Sequence, residues 1–145
     1  MLVHGAARPL LLLTFMSPTQ RTQQYLRTRG FHVANCEKKL PTTAAGWKGP
    51  LVTQDLYGFI DTLAVDQMLL LAVQSTSGSN HAAHVTKCRE APAFVALSSH
   101  LQIEVWSWAK RGPRGKRKLW TLRRESLTSD EPVALIDRGT GYDDP

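Results

Sequence analysis

The apolar run Met68–Val73 constrains the fold of this chain more than any other feature, because none of its residues carries a polar side chain. A strand with one face in water alternates apolar and polar residues, whereas a strand covered on both faces is apolar throughout. The run is also far shorter than the roughly 20 apolar residues that span a bilayer. We therefore expect a strand, Met68–Ser75, in the centre of a sheet.

Length, charge and cysteine content set broad limits on the protein. A chain of 145 residues suits one domain, since folding at this size buries roughly two thirds of the unfolded surface. Lys and Arg number 18 against 12 Asp and Glu, and the net charge of +6 favours a polyanionic partner. Cys36 and Cys88 have neither metal-ligand nor redox-motif spacing, so we expect reduced core residues in a cytoplasmic protein. No stretch of about 20 apolar residues occurs in the sequence, so we expect no membrane partner.

Both ends of the chain differ in composition from its middle. The apolar residues Leu10–Leu13 and Phe15 form a stretch shorter than the core of most signal peptides, which takes about 7–15 residues. After Leu127, five acidic residues face the single Arg138. We expect residues 1–16 to be a poorly ordered extension, residues 17–127 the folded domain, and residues 128–145 an acidic, loosely held tail.

Capping residues and hydrophobic alternation predict the remaining elements. A helix over Ser17–Arg29 has Ser17 or Thr19 as its cap and Gly30 as its stop. The other expected elements are a strand Phe31–Cys36, a loop Lys38–Pro50, a strand Leu56–Val65 in an antiparallel hairpin with Met68–Ser75, a helix His81–Ala91, a short helix Ala93–Ser99 and strands Gln102–Ala109 and Leu119–Arg124.

A row of polar residues accompanies the apolar strand. A tight turn at Asp66-Gln67 would place Asp61 opposite Ala72 and diagonal to Gln74. By the two-residue period of side chains, one sheet face then carries Asp55, Asp61, Gln74 and Thr76. Buried polar groups are costly unless they are hydrogen-bonded or bind a cation, so the row is a candidate site. Alternatively, Gln74–Thr76 is a strand end that enters a polar turn, and Asp55 is a loop residue.

The segments Asp55–Val65 and Leu71–Thr76 resemble the signature of the PD-(D/E)XK, or restriction-endonuclease-like, nuclease family. In that family an Asp lies on the second core strand and an acid-x-Lys motif on the third. The resemblance covers about Ser17–Arg124 and looks closest to small resolvase-like or phage-encoded members. It implies an α/β fold with an αβββαβ core, a central mixed sheet flanked by helices, in a bacterial or phage-infected cell.

The resemblance also implies metal-assisted phosphodiester hydrolysis, in which carboxylates hold Mg²⁺, or Mn²⁺ in its place, and a Lys stabilises developing charge. By position, Asp61 matches the motif Asp, Gln74 the second acid and Thr76 the Lys. Gln and Thr depart from the pattern. A Gln carbonyl holds Mg²⁺ more weakly than a carboxylate, and Thr carries no positive charge.

Further residues could complete such a site. Lys87, or less readily His84, could supply the cation from the following helix, and Glu37 or Asp55 could restore a carboxylate. The predicted catalytic residues are therefore Asp61, Gln74, Thr76 and Lys87, and the predicted metal ligands are Asp55, Asp61, Gln74 and Glu37. His81 and His84 lack the i,i+4 spacing of a helical metal pair, so we expect surface histidines.

A second constellation is a basic loop, Lys110–Lys118, between the last two strands. With Arg123 and Arg124 it holds eight of the 18 basic residues and no acid: Lys110, Arg111, Arg114, Lys116, Arg117, Lys118, Arg123 and Arg124. Such a loop can follow a phosphate backbone, although a solvated run of charge is the alternative. Tryptophans flank it and could stack on unpaired bases, but we expect two of the three to be core residues: Trp106, Trp108 and Trp120.

These features favour a Mg²⁺-dependent DNA endonuclease. Cleavage is expected to be structure-specific or weakly sequence-specific, because the chain lacks a base-reading motif. Resolvase-like relatives imply a branched DNA substrate and a homodimer. The alternatives are a catalytically inactive nucleic-acid-binding protein on the same fold, and a protein-interaction module whose basic loop docks an acidic partner.

Overall fold

The computed structural model describes residues 16–41 and 51–128. The predicted N-terminal extension up to residue 15, the acidic tail from residue 129 and residues 42–50 of the predicted loop lie outside the described residues. The described part of the chain is a mixed α/β structure with a five-stranded sheet flanked by helices and a separate two-stranded sheet.

The elements follow one another in a simple order. The helices are α1 (Pro18–Thr28), α2 (His81–Glu90) and α3 (Phe94–Ser98). The strands are β1 (His32–Asn35), β2 (Lys38–Pro41), β3 (Leu51–Gln54), β4 (Thr62–Val65), β5 (Leu70–Ser77), β6 (Gln102–Arg111) and β7 (Leu119–Ser126). The three α-helices lie within a residue or so of the predicted ranges, and a 3-10 turn, Gly78–Asn80, leads into α2.

The larger sheet has the strand order β1-β4-β5-β6-β7. Strands β5 and β6 are parallel, whereas the other neighbouring pairs are antiparallel. A parallel pair needs a long crossover connection, which α2 and α3 provide here. The central position of β5 confirms the prediction from the apolar run.

Helix α1 covers one face of the sheet. It begins with a capping box, in which Ser17 Oγ accepts from the Gln20 N–H at 3.2 Å and Gln20 Oε1 accepts from the Ser17 N–H at 2.9 Å. The fully buried Leu26 of α1 anchors a core cluster that also contains Phe31, Ala64, Leu71, Val73, Trp106 and Trp108.

Helix α2 covers the opposite face. Its buried Val85 and Cys88 pack in a second cluster with Phe59, Ile60, Ala72, Ile103 and Val105. Strand β5 therefore places Leu71 and Val73 against α1 and Ala72 against α2, as a strand covered on both faces requires. Cys88 is a core residue as predicted, whereas Cys36 is only partly buried; both thiols are free.

The β4–β5 hairpin has a longer turn than the sequence suggested. Val65 pairs with Leu70 rather than with Met68, because the Asp66 carboxylate accepts the N–H groups of Met68 and Leu69, both at 2.8 Å. This side-chain cap holds residues 66–69 in the turn and leaves Met68 exposed. The register shifts by two residues, so the facing of every side chain is preserved.

Two other expectations were wrong. The predicted strand Leu56–Val65 begins only at Thr62, because Tyr57 and Gly58 have φ values of 54° and 81° and fold Leu56 back onto Ile60. Left-handed conformations of this kind end a strand, and glycine adopts them without strain. The predicted loop Lys38–Pro50 contains β2, which pairs with β3 in an exposed hairpin.

A buried ion pair joins the last two strands. Glu104 of β6 is fully buried, and its two carboxylate oxygens accept from Arg124 Nε at 2.9 Å and Nη2 at 3.0 Å. Trp106 Nε1 donates to the same carboxylate at 2.9 Å, and the Arg124 guanidinium lies 5.0 Å from the Trp106 ring centroid. Bidentate pairs of this geometry compensate for desolvation of the charges.

We expect Arg124→Ala to lower the free energy of unfolding by about 3–5 kcal/mol, since it leaves the Glu104 carboxylate buried and unpaired. A Glu104→Met/Arg124→Met double variant removes both charges and should recover most of that loss. Urea denaturation of the three proteins measures the difference. A single variant as stable as the wild type would contradict the structural role of the pair.

Candidate functional site

Asp61 lies at the entrance to β4, directly opposite Gln74 of β5. Its N–H donates to the Val73 carbonyl at 3.1 Å, and its side chain is only 2% exposed. The sequence predicted that these two polar residues share a sheet face, and the structure brings them into contact. Their neighbours Ser75 and Thr76 are buried as well, so Gln74–Thr76 is not a strand end leading into solvent.

Four donors surround the Asp61 carboxylate. Oδ1 accepts from Thr62 Oγ1 at 2.9 Å and lies 3.2 Å from Ser75 Oγ. Oδ2 accepts from Gln74 Nε2 at 3.0 Å and from the Ser75 N–H at 2.6 Å. These donors satisfy the hydrogen-bonding capacity of both carboxylate oxygens without a cation.

The surroundings of Asp61 make it harder to ionise. Burial raises the pKa of Asp61 from 3.8 to about 6, against the opposing effect of its hydrogen bonds from Ser75 and Thr62, and the negative charge of Asp55 raises it further. A carboxyl group with such a pKa can exchange a proton near neutral pH, as groups in active sites often do.

Asp55 and Lys87 form an ion pair near Asp61. Lys87 Nζ of α2 lies 3.4 Å from Asp55 Oδ2, and the Asp55 side chain is 11% exposed. A cleft of about 190 Å³ opens beside Asp55 and is lined by Cys36, Lys38, Gln54, Asp55, Leu56 and Tyr57. The prediction that Asp55 belongs to the polar row on the sheet was wrong: it lies in the loop after β3, as the alternative had it, because the chain folds Leu56 back onto Ile60. Its charge nevertheless acts on Asp61.

The other predicted site residues are arranged less favourably for a metal. Gln74 presents its amino group to Asp61, while its Oε1 is buried without a hydrogen-bond partner among the described residues. Thr76 is buried beside Ser107 of β6. Glu37 lies 3.8 Å from Lys39 Nζ and lines a different cleft, next to the start of α1.

A magnesium ion does not fit this arrangement. Mg²⁺ requires open oxygen ligands in near-octahedral geometry, whereas donors from the protein already surround both oxygens of Asp61. Within residues 16–41 and 51–128, no three His, Cys, Asp or Glu side chains gather as a metal site would need. The carboxylates that the sequence suggested as joint ligands therefore serve other contacts.

The expectation that His81 lies on the surface was wrong. His81 is 2% exposed; its Nδ1 lies 2.7 Å from Ser107 Oγ and its Nε2 lies 3.1 Å from Glu125 Oε1. Ser107 was overlooked as well, although alternation along β6 placed it on the same face as Ile103 and Val105. A polar residue in that apolar series was the available signal. His84 is partly buried, and this burial lowers its pKa.

The basic residues lie on a projecting hairpin. Strand β5 ends opposite Trp108, while β6 and β7 continue pairing to Arg111 and Leu119, joined by residues 112–118. Every residue from Lys110 to Leu119 is exposed. The exposed basic side chains are Lys110, Arg111, Arg114, Lys116, Arg117, Lys118 and, on the shaft of the hairpin, Arg123. Arg124 instead pairs with Glu104.

The tryptophans divide as predicted. Trp106 and Trp108 are buried in the core, and Trp120 is partly buried at the base of the hairpin. The Arg21 guanidinium lies 4.0 Å from the Trp120 ring centroid, and Lys110 Nζ lies 5.5 Å from it. Cations packed against this ring hold the hairpin to α1.

No protein-family model, curated protein or solved structure matches this chain. Among the helices that the structure describes, none has the length and apolar character needed to cross a membrane.

The raised pKa of Asp61 has a consequence for stability. The folded state binds a proton more tightly than the unfolded chain, so the stability from protonated Asp61 is complete below pH 3.8 and is lost as the pH rises through about 6. We expect the wild-type free energy of unfolding, relative to Asp61→Asn, to fall by about 3 kcal/mol over this window. Denaturant titrations at several pH values measure it, and a difference that does not change with pH would contradict the assignment.

Proposed function

We propose that this protein binds DNA through its β6–β7 hairpin. The observation that carries the proposal is the projecting, fully exposed segment Lys110–Leu119, which holds six basic residues and no acid. Side chains of this charge on an exposed hairpin can contact successive phosphates and release their condensed counterions. Binding of this kind is expected to weaken steeply as salt rises.

The arrangement of the sheet supports a restriction-endonuclease-like core beneath this hairpin. A helix precedes three antiparallel strands, β1, β4 and β5, and α2 then crosses to β6, which is parallel to β5. This order supports the αβββαβ core that the sequence resemblance implies, if the β2–β3 hairpin is taken as an insertion after the first strand. Because fold alone does not determine activity, the proposal for DNA binding rests on the hairpin.

We expect the quadruple variant Arg114→Ala/Lys116→Ala/Arg117→Ala/Lys118→Ala to bind duplex DNA at least about tenfold more weakly than the wild type. The negative slope of log affinity against log salt concentration should become shallower by about 3 to 4, since each lost phosphate contact contributes about 0.9 to its magnitude. Fluorescence anisotropy across a salt series measures both quantities.

A matched control removes four exposed basic residues elsewhere on the protein: Arg27, Lys38, Lys39 and Arg89. This control variant has the same net charge as the hairpin variant. We expect it to bind duplex DNA more tightly than the hairpin variant does. An equal loss of DNA affinity in the two variants would show that binding depends on net charge rather than on the hairpin. If the wild-type protein has no affinity for DNA at low salt, the result would contradict DNA binding and favour the alternative that the hairpin binds an acidic protein.

A second candidate function is endonuclease activity at the Asp61 pocket. The contact of Asp61 with Gln74, beside the Asp55–Lys87 ion pair, favours it. Because Mg²⁺ does not fit the present hydrogen-bond arrangement, activity would require Asp61 to exchange some of its protein donors for the ion. DNA binding by an inactive protein needs no such exchange and is the function that the geometry supports best.

If the pocket is catalytic, supercoiled or branched DNA should be nicked in Mg²⁺ or Mn²⁺, and Asp61→Ala should abolish nicking without weakening DNA binding more than about twofold. Lys87→Ala should also lose activity, whereas Arg89→Ala, which removes another exposed positive charge from the same helix, should retain it. Gel analysis of plasmid and four-way-junction cleavage provides the test. DNA binding without cleavage in either Mg²⁺ or Mn²⁺ would contradict endonuclease activity and favour a catalytically inactive DNA-binding protein.

A further inference from the structure

We propose that the β6–β7 hairpin recognises double-helical DNA as a two-stranded ribbon lying in the major groove. This inference rests on the proposed DNA binding and goes further, since it specifies the form of nucleic acid and the groove. A two-stranded β-ribbon matches the roughly 12 Å width of the major groove of B-DNA.

The ribbon extends past the rest of the sheet. Beyond the last β5–β6 pair at Trp108, β6 and β7 continue as a pair through Ala109–Thr121, Lys110–Trp120 and Arg111–Leu119. No neighbouring strand pairs with this extension among the described residues, and residues 110–119 are all exposed, so its tip is open to a groove, whereas its base packs against Arg21 of α1. The two strands also stay close together at its tip.

Gly112 accounts for that close approach. A Cβ atom at this position would lie 3.1 Å from the Arg117 carbonyl oxygen and 3.3 Å from the Lys118 Cα. The tip is closed by a turn in which the Lys116 N–H donates to the Pro113 carbonyl at 3.2 Å. A narrow, internally bonded tip loses little further conformational freedom on binding.

Positive charge lies on both faces of the ribbon. Because side chains alternate along a strand, Lys110 shares a face with Trp108 and Trp120, whereas Arg111 points to the opposite face. The tip adds Arg114, Lys116, Arg117 and Lys118. A ribbon inside a groove has a phosphate backbone along each of its two borders, and the long basic side chains of both faces and of the tip can reach these phosphates.

The aromatic residue of the ribbon is not arranged to bind unpaired bases. Single-strand-binding surfaces present aromatic faces on which bases stack. The Trp120 ring is partly buried and packs against Arg21 at 4.0 Å and Lys110 at 5.5 Å. The sequence has no other aromatic residue between Trp108 and Trp120. The ribbon thus offers charge to a duplex rather than a stacking platform to a single strand.

Double-stranded RNA differs from B-DNA in the relevant groove. The major groove of an A-form helix is deep and too narrow for side chains to enter. A ribbon that needs a wide major groove should therefore discriminate against an RNA duplex of the same length and charge. This distinguishes groove insertion from simple attraction to phosphate.

The test compares the wild-type protein on a 20-base-pair DNA duplex, the RNA duplex of the same sequence and the single DNA strand, all at one salt concentration. We expect the DNA duplex to bind at least about tenfold more tightly than either of the others. Equal or tighter binding of the single strand or of the RNA duplex would overturn the inference, even if the hairpin variant confirmed binding through the basic residues.

Groove ligands identify the binding face. Methyl green, which occupies the major groove, should displace the protein from duplex DNA, whereas netropsin, which occupies the minor groove, should not. Displacement by netropsin alone, or by neither ligand, would contradict major-groove binding. Loss of binding in the hairpin variant tests the proposed function separately, because that result does not depend on which groove is used.

Discussion

The structure depends on the burial of β5 on both of its faces. Residues Leu71–Thr76 are all buried, which forces helices onto each side of the sheet and makes β5 its central strand. The second half of this buried segment is polar, and Gln74 and Ser75 find partners inside the protein. Asp61 accepts from both of them, and Ser75 Oγ also lies 2.8 Å from Thr22 Oγ1 of α1. The hydrogen bonds around Asp61 therefore stabilise the middle of the fold, because buried polar groups are costly unless they are hydrogen-bonded.

A layer of aromatic rings and cations connects this core to the basic hairpin. Tyr25 of α1 packs edge-on against Trp106 and Trp108, with ring centroids 5.6 and 5.9 Å apart. Arg21 packs against Trp120, and Arg124 pairs with the buried Glu104. The base of the hairpin is thus fixed on the α1 side, and its basic tip extends into solvent. Two of the basic residues nearest the base, Arg21 and Arg124, contribute to folding, while those at the tip remain available to a partner.

Local signals predicted much of the fold. Ser17, Gly30 and the apolar run placed α1 and β5 correctly, and the antiparallel hairpin brought Asp61 and Gln74 to one face because a two-residue error in register does not change facing. The errors came from side-chain and backbone effects that periodicity does not contain: the cap formed by Asp66, and the left-handed conformations of Tyr57 and Gly58.

The burial of His81 depends on β5 and β6 being parallel, a tertiary pairing that placed Ser107 and Glu125 within its reach. Which hydrogen bonds the Asp61 carboxylate makes, and hence whether a metal fits, likewise followed only from three-dimensional contacts.

The proposal that the β6–β7 hairpin binds DNA can be tested residue by residue. Its most direct test is an NMR titration of the isotope-labelled protein with a short DNA duplex, which reports on each backbone amide separately. We expect the largest chemical-shift changes within residues 110–118, with the amides of α2 and of the β2–β3 hairpin changing little. Changes concentrated on another surface, with the hairpin amides unmoved, would contradict it.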